Sequence, residues 1–282
     1  MSDIKIICDS LSDVPDDMLE KYDIEMVPLT LILGGVEYRD RYDISCDELY
    51  RQLRQKDVYA KTSQVTYATF LEVFKKYIDQ GREVLYIAGS AAATGTYQSA
   101  NMAKEDLDGK VVTFDTDSLS FGAGMQVQLA GKLAQEGKSI EEIVPELKKL
   151  QEKIYIVFSV DTLDHLQKGG RISSTKAAIG NILNIKPLLE VRDGLVAQLC
   201  QVRGKKHVIA KYIEILDENV GMELEGSDVY IGYSDDIKER DQVAEAIREK
   251  FNPAEIVFVP LGSCIVAHAG PGVTGVFVHK RY

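Results

Sequence analysis

Short apolar runs alternate with stretches of helical period through the first half of this chain, and each run ends in small or acidic polar residues. Ile4-Lys5-Ile6-Ile7-Cys8 reads as a strand ending in Asp9-Ser10-Leu11-Ser12-Asp13. Pro15 suits the first turn of a helix running toward Tyr22. Residues 25–33 read as one further strand, closed by the Gly34-Gly35 turn. Helices are predicted from about Cys46 to Gln55 and from Tyr67 to Gln80, on either side of Lys61-Thr62-Ser63-Gln64. Val84 to Ala88 is a buried strand, followed by Gly89-Ser90-Ala91-Ala92-Ala93-Thr94-Gly95-Thr96 and a helix opening near Tyr97. The strand Val111 to Phe114, the polar end Asp115-Thr116-Asp117-Ser118 and a helix toward Gln135 complete the rhythm.

Buried strands alternating with helices predict a parallel α/β sheet, whose ligands sit outside the carboxyl ends of the strands. The ends at Asp9-Ser10, Ser90/Thr94 and Asp115/Ser118 are positioned to converge on one crevice. Segment 89–96 is the most informative of them. Its hydroxyls flank a helix start, whose free backbone N–H groups would hold a phosphate or carboxylate. Nothing in it resembles a nucleophile with its base.

The charged helix Ile140 to Lys153 predicts a hinge between a first unit, 1–153, and a second, 154–282. The second unit opens with the strand Ile154 to Phe158 and a helix ending at Gly169-Gly170; after Arg171 an apolar helix runs through Ala177 to Leu183. Pro187 to Val191, Asp193-Gly194 and Leu195 to Leu199 read as a hairpin. Helices at about Lys205 to Asn219 and Ile237 to Phe251 alternate with strands near Val229 to Tyr233 and Ile256 to Val259, and a last strand covers Gly275 to Val278.

Composition narrows the function classes. The 282 residues, 45% hydrophobic, are long enough for two cores. No apolar stretch would span a bilayer, and Met1 to Lys5 lacks the start of a signal peptide, so a cytoplasmic address is expected. A net charge of -11 disfavours nucleic acid and anionic membranes. The compact basic patch Arg203-Gly204-Lys205-Lys206-His207 is too small for a duplex but large enough to dock an acidic partner. Cys8, Cys46, Cys200 and Cys264 lack zinc spacing and read as reduced core or site-lining residues.

Gly270-Pro271-Gly272-Val273-Thr274-Gly275 matches a dinucleotide fingerprint literally, but a strand rather than a helix follows it. The glycines therefore predict a tight turn that brings backbone close to a ligand or neighbour. There is no phosphate-binding P-loop pattern and no catalytic serine elbow. His165 and His207 read as surface residues on helices and His279 as exposed, whereas His268 stands out by preceding the Gly-Pro-Gly turn. Arg171 is either a solvated cation near a helix end or an ion-pair partner for an acid such as Asp40. Asp9, Asp13, Asp115 and Asp117 read either as caps or as cation ligands.

In chain order, Asp9-Ser10 with Asp13, Pro28-Leu29, Asp40, Thr62-Ser63-Gln64, Gly95-Thr96-Tyr97-Gln98-Ser99-Ala100, Lys168-Gly169-Gly170-Arg171-Ile172, Lys186-Pro187, Arg203-Gly204, and His268 with Gly270-Pro271-Gly272 make an ordered set. This set resembles the DegV family, the fatty-acid-binding subunits of bacterial fatty acid kinase, over essentially the whole chain. The resemblance implies an α/β, two-domain DegV-like (EDD) fold, with a parallel-sheet N-terminal domain, a mixed-sheet C-terminal domain and the ligand between them. It implies no cofactor and no metal, and a long-chain fatty acid such as palmitate, stearate or oleate as ligand. By the same resemblance, Thr62, Ser63, Thr94, Gly95 and His268 would hold the carboxylate, supported by Arg171 and Asp40. Catalysis would reside in a separate ATP-dependent kinase subunit, with transient membrane exchange of the lipid; the basic patch makes Arg203, Lys205 and Lys206 the expected docking residues for that subunit. The chain departs from the family pattern where Ser90-Ala91-Ala92-Ala93-Thr94-Gly95-Thr96 replaces Ser-Ser-x-Leu-Ser-Gly-Thr, and where Val65 replaces a proline. A lipid store without a kinase, or a metal-dependent phosphotransferase or hydrolase, are the competing expectations.

Overall fold

A computed structural model describes residues 3–280, apart from residues 56, 108 and 173–184. In chain order the first half runs β1 (Ile4–Asp9), α1 (Asp16–Lys21), β2 (Ile24–Val27), β3 (Thr30–Leu33), β4 (Val36–Arg39), α2 (Cys46–Leu53), β5 (Ala60–Ser63), α3 (Tyr67–Ile78), β6 (Glu83–Ala88), α4 (Thr96–Glu105), β7 (Val111–Asp115), α5 (Phe121–Gln135) and α6 (Ile140–Gln151). The second half runs β8 (Ile154–Ser159), α7 (Asp164–Gly169), β9 (Ile185–Arg192), β10 (Leu195–Arg203), α8 (Lys206–Asn219), β11 (Asp228–Tyr233), α9 (Ile237–Phe251), β12 (Glu255–Pro260), α10 (Ser263–Ala269) and β13 (Thr274–His279).

The predicted parallel sheet is present, in the order β2-β1-β6-β7. Its central strands are buried along nearly their whole length, as a sheet covered by helices on both faces requires. Lys5 and the terminal Asp9 are the polar residues of β1; the Lys5 amine reaches Asp23 Oδ1 at 2.5 Å and the Asp23 carbonyl at 2.7 Å. The second half forms a six-stranded mixed sheet ordered β10-β9-β8-β13-β11-β12, in which only β11 and β12 run parallel. One face packs on α8 and α9 through Tyr212, Leu216 and Ile247. The other turns Ile156, Tyr230 and Phe277 toward Leu31, Leu49 and Leu53 of the first half.

The single strand predicted over 25–33 is instead two strands in two sheets. Pro28 has no N–H for a ladder, and the Leu29 N–H bonds to Ser10 Oγ at 3.1 Å. The chain therefore leaves the parallel sheet at β2 and enters a small antiparallel one, ordered β4-β3-β5. The largely apolar run across residues 24–33 hides this break, because both strands are mostly buried. The short helix α10 also went unpredicted. Its Ile265 and Val266 favour strands intrinsically, and tertiary packing overrides that preference. The predicted apolar helix through Ala177 to Leu183 lies outside the described residues.

Hydrogen bonds tie α10 and its approach to the first half. Tyr50 Oη donates to the Leu261 carbonyl at 2.5 Å, and the Gly262 N–H donates to Asp13 Oδ1 at 2.9 Å. At the rim Arg54 bridges Asp161 and Asp235, each at 2.8 Å.

Candidate ligand-binding site

Between the six-stranded sheet and the first half lies an apolar cavity enclosing about 800 Å³, counting the space open to solvent at its mouth. Ile156, Phe158, Val191, Val196 and Phe277 of the sheet and Ile265 of α10 supply apolar wall. Four residues singled out in the sequence, Thr62, Thr94, Arg171 and His268, come together on its lining. Each comes from a different element. Thr62 lies in β5 opposite Leu31, Thr94 in the loop after β6, Arg171 just beyond α7 and His268 on α10.

Thr62 Oγ1 and His268 Nε2 are 2.7 Å apart. His268 Nδ1 is buried without a hydrogen-bond partner. With no acceptor beside Nδ1, the tautomer that wastes no donor carries its proton on Nε2. Nε2–H then donates to Thr62 Oγ1, and the Thr62 hydroxyl is free to donate outward. Burial, with the Arg171 and His165 charges adding to it, pushes the His268 imidazole down to about 4. The ring is thus neutral at neutral pH.

Two adjacent glycines build this corner for different reasons. Gly170 takes the left-handed conformation at the end of α7, with φ +66°. Gly169 keeps helical backbone but leaves space for His268: a Cβ there would overlap Nδ1 and lie 3.3 Å from Cε1 and 3.4 Å from Cγ. The role of Gly169 was missed in the sequence, although the Gly-Gly pair before Arg171 signalled a close approach.

Several expectations need correction. Arg171 does not pair with Asp40; its Nη1 donates to the Gly169 carbonyl at 2.6 Å. Asp40 is fully buried beside Ser10, Ser263 and Cys264, yet neither carboxylate oxygen makes a hydrogen bond. Burial raises its proton affinity. Segment 89–96 is not a shelf of free amides. The N–H groups of Gly89 and Ala91 go to Asp9 Oδ2 and Asp115 Oδ1, that of Ser90 to the Ser118 carbonyl, and those of Ala93 and Thr94 to the Ser90 carbonyl. The three strand ends do converge, but on one another. What the segment offers the cavity is the Thr94 hydroxyl, 2.9 Å from Thr96 Oγ1.

Ser63 is exposed, as the alternation of a strand demands when its neighbour Thr62 faces the cavity. Gly95 does not line the cavity either. Its missing side chain admits Gln64, whose Cδ would lie 2.8 Å from a Cβ there and whose Nε2 donates to Ser99 Oγ at 2.9 Å. His165 is half-buried rather than superficial, with its ring 5.0 Å from that of Tyr59. Lys205 is engaged by Asp236 and Glu239, whereas Arg203 and Lys206 are exposed. Asp9 caps the turn that follows β1 and also accepts from Tyr86 Oη at 2.6 Å; Asp13 accepts from Ser120 Oγ at 2.5 Å. The four cysteines are free, and Cys264 lines the cavity.

A model of the family described as "Uncharacterised protein, DegV family" matches residues 3–281. The chain belongs to the DegV family. A DegV domain-containing protein of Clostridium perfringens is 35% identical over 285 residues, covering 98% of this chain and 97% of that one. The fold is that of DegV fatty-acid-binding structures. A Thermus thermophilus DegV-family protein, described by its fatty acid binding, superimposes with a TM-score of 0.90 at 31% identity, with both chains covered completely. A stearic-acid-binding protein of Eubacterium ventriosum gives 0.85 at 26% identity, covering 98% of each chain. Among the described residues, no helix of this DegV chain is long and apolar enough to cross a membrane.

Proposed function

We propose that this chain binds a long-chain fatty acid, with the acyl chain in the apolar cavity and the carboxylate at Thr62, Thr94 and His268. The observation that carries the reading is the convergence of these three side chains, Thr62 and His268 already hydrogen-bonded, on the lining of a largely apolar cavity. Burial of a sixteen-carbon tail is worth on the order of ten kcal/mol at ~0.8 kcal/mol per methylene, before ordering costs. The carboxylate must then recover hydrogen bonds to offset its desolvation. A Thr62 hydroxyl that receives from His268 donates outward to one oxygen, and Thr94 to the other. Arg171 adds positive charge nearby without a bidentate clamp, so each oxygen, holding a single hydrogen bond, keeps acceptor capacity to spare.

Spare acceptor capacity suits a protein that presents its ligand to a separate ATP-dependent kinase for acyl-phosphate formation. Arg203 and Lys206 form the free part of the docking patch, with Lys205 held back by its acids. On this reading the chain is a cytoplasmic lipid-binding subunit and not an enzyme by itself, with its two units meeting near residues 153 and 154. The rival metal-dependent hydrolase is disfavoured because oxygens of Asp9, Asp13 and Asp115 are already taken by protein donors.

Native mass spectrometry of gently purified protein tests the binding. An added mass matching a fatty acid is expected; an apo protein that takes up none from a fatty-acid mixture overturns it. Co-purification of a kinase subunit that phosphorylates the bound acid separates delivery from storage.

A further inference from the structure

Two glycines sit side by side in the middle of the six-stranded sheet. Gly275 of β13 pairs with Gly232 of β11, and the pair is flanked by Phe158 of β8 and Val259 of β12. Glycine in a strand interior is unfavourable unless something approaches the backbone closely. Here the approaching group is the Phe277 ring. A Cβ on Gly232 would stand 2.6 Å from Phe277 Cε2 and 2.9 Å from Leu261 Cδ2; one on Gly275 would crowd Phe158 Cβ at 3.2 Å and meet the same Phe277 atom at an ordinary contact distance of 3.5 Å. Phe277 therefore lies across the glycine trough, in a T-shaped arrangement with Phe121 at a centroid distance of 6.4 Å.

The cavity lining shows what this ring does. Val273, Gly275 and Phe277 line the cavity at every second position, so it follows one face of β13 for about 13 Å away from the turn after His268. The lining stops at Phe277: its register partner Tyr230, its T-shaped neighbour Phe121 and the other half of the trough, Gly232, are not part of it. The strip of bare backbone over Gly232 is filled by Phe277 and Leu261 instead of ligand space.

We propose that Phe277, seated over the Gly232–Gly275 pair, is the stop that ends the acyl cavity, and that Gly232 sets its position and hence the chain length accepted. This deepens the fatty-acid reading above and rests on it. A smaller residue at 277 opens the strip over Gly232 and extends the cavity onto β11. A methyl group at 232 drives Phe277 and Leu261 toward the cavity and shortens it.

The test is a binding ladder of saturated acids from dodecanoic to eicosanoic on wild type, Phe277→Leu and Gly232→Ala, each checked for folding by thermal melt. Each methylene that gains or loses room changes affinity about fourfold. The ratio of octadecanoate to dodecanoate affinity is expected to rise at least about fourfold in Phe277→Leu and to fall by a similar factor in Gly232→Ala. If one variant does not fold, the other decides. Ratios within about twofold of wild type, or a uniform loss across the ladder, overturn the assignment of Phe277 as the stop. Failure of the wild type to bind any acid overturns the fatty-acid reading itself, and this inference with it.

Discussion

Adding one methyl group at Gly169 is the most incisive perturbation of the proposed head-group corner. The position is helical, so alanine suits the backbone and would by itself favour the helix by up to about 1 kcal/mol. The new carbon, however, overlaps His268 Nδ1. The outward directions of Nδ1 and Nε2 are nearly opposed on an imidazole, and Nε2 is already 2.7 Å from Thr62 Oγ1. The ring cannot back away without colliding with Thr62, so it must turn out of its plane, and the bond is lost. The neutral bond itself is worth about 0.5–1.5 kcal/mol, which the helix gain largely offsets. A donor aimed at a carboxylate is worth about 1.5–3 kcal/mol, so affinity for a fatty acid should fall roughly ten- to hundredfold while global stability moves little. Gly170→Ala is the control with the reverse signature. Its surroundings are open but φ is +66°, so it should cost about 1–2 kcal/mol of stability and leave affinity near wild type. Calorimetric titration with palmitate, paired with urea unfolding, reads both quantities. Wild-type affinity in Gly169→Ala would refute the role given to His268, and equal losses in the two variants would refute the separation of space from conformation.

Thr62→Ala and Thr94→Ala should each weaken fatty-acid binding by about tenfold in the same titration, and unchanged affinity in both would remove the carboxylate assignment. Charge reversal at Arg203 and Lys206 should lower acyl-phosphate formation with a kinase partner while lipid binding is retained; full activity counts against docking there. Burial pushes the Asp13 carboxyl from the ordinary 3.8 up to about 7, so the folded chain keeps this proton after the unfolded chain has released it. The stability contributed by that group is therefore full below about pH 4, lost progressively as pH rises toward 7, and flat beyond. Asp13→Asn should match wild type at pH 4 and exceed it by up to a few kcal/mol at pH 8 in urea unfolding; a constant difference across that range would contradict the buried-acid argument.

Strand and helix alternation disclosed the parallel sheet because buried strands and amphipathic helices differ so plainly in period. The hairpin at Asp193-Gly194 was legible for an equally local reason: its turn chemistry. What local pattern does not carry is partnership. Pro28 divides one apolar run between two sheets, and the Leu29 N–H finds its partner in Ser10 across 19 positions. The amides of Gly89 and Ala91 look free in the sequence because their acceptors, Asp9 and Asp115, belong to other strands. Local pattern marks out Thr62, Thr94, Arg171 and His268, but their shared role at one carboxylate came from the family resemblance, and their convergence on one lining could not be deduced from spacing. The Gly169-Gly170 pair signals a close approach without naming its partner, and Gly232 carries no such signal, since the group each makes room for lies far away in sequence.

The packing of α10 also fixes an order of events during synthesis. Leu31, Leu49, Tyr50 and Leu53 emerge early, yet the apolar groups they pack with include Leu261, Val266, Ala269 and Phe277. At roughly 5–20 residues per second, that face waits uncovered for on the order of ten seconds or more while the rest of the chain is made. The proposed head-group corner cannot form until His268 has been made, long after Thr62. A ribosome stalled near residue 260 would thus hold a nascent chain with its parallel sheet complete, a sticky apolar face, and no means of holding a ligand.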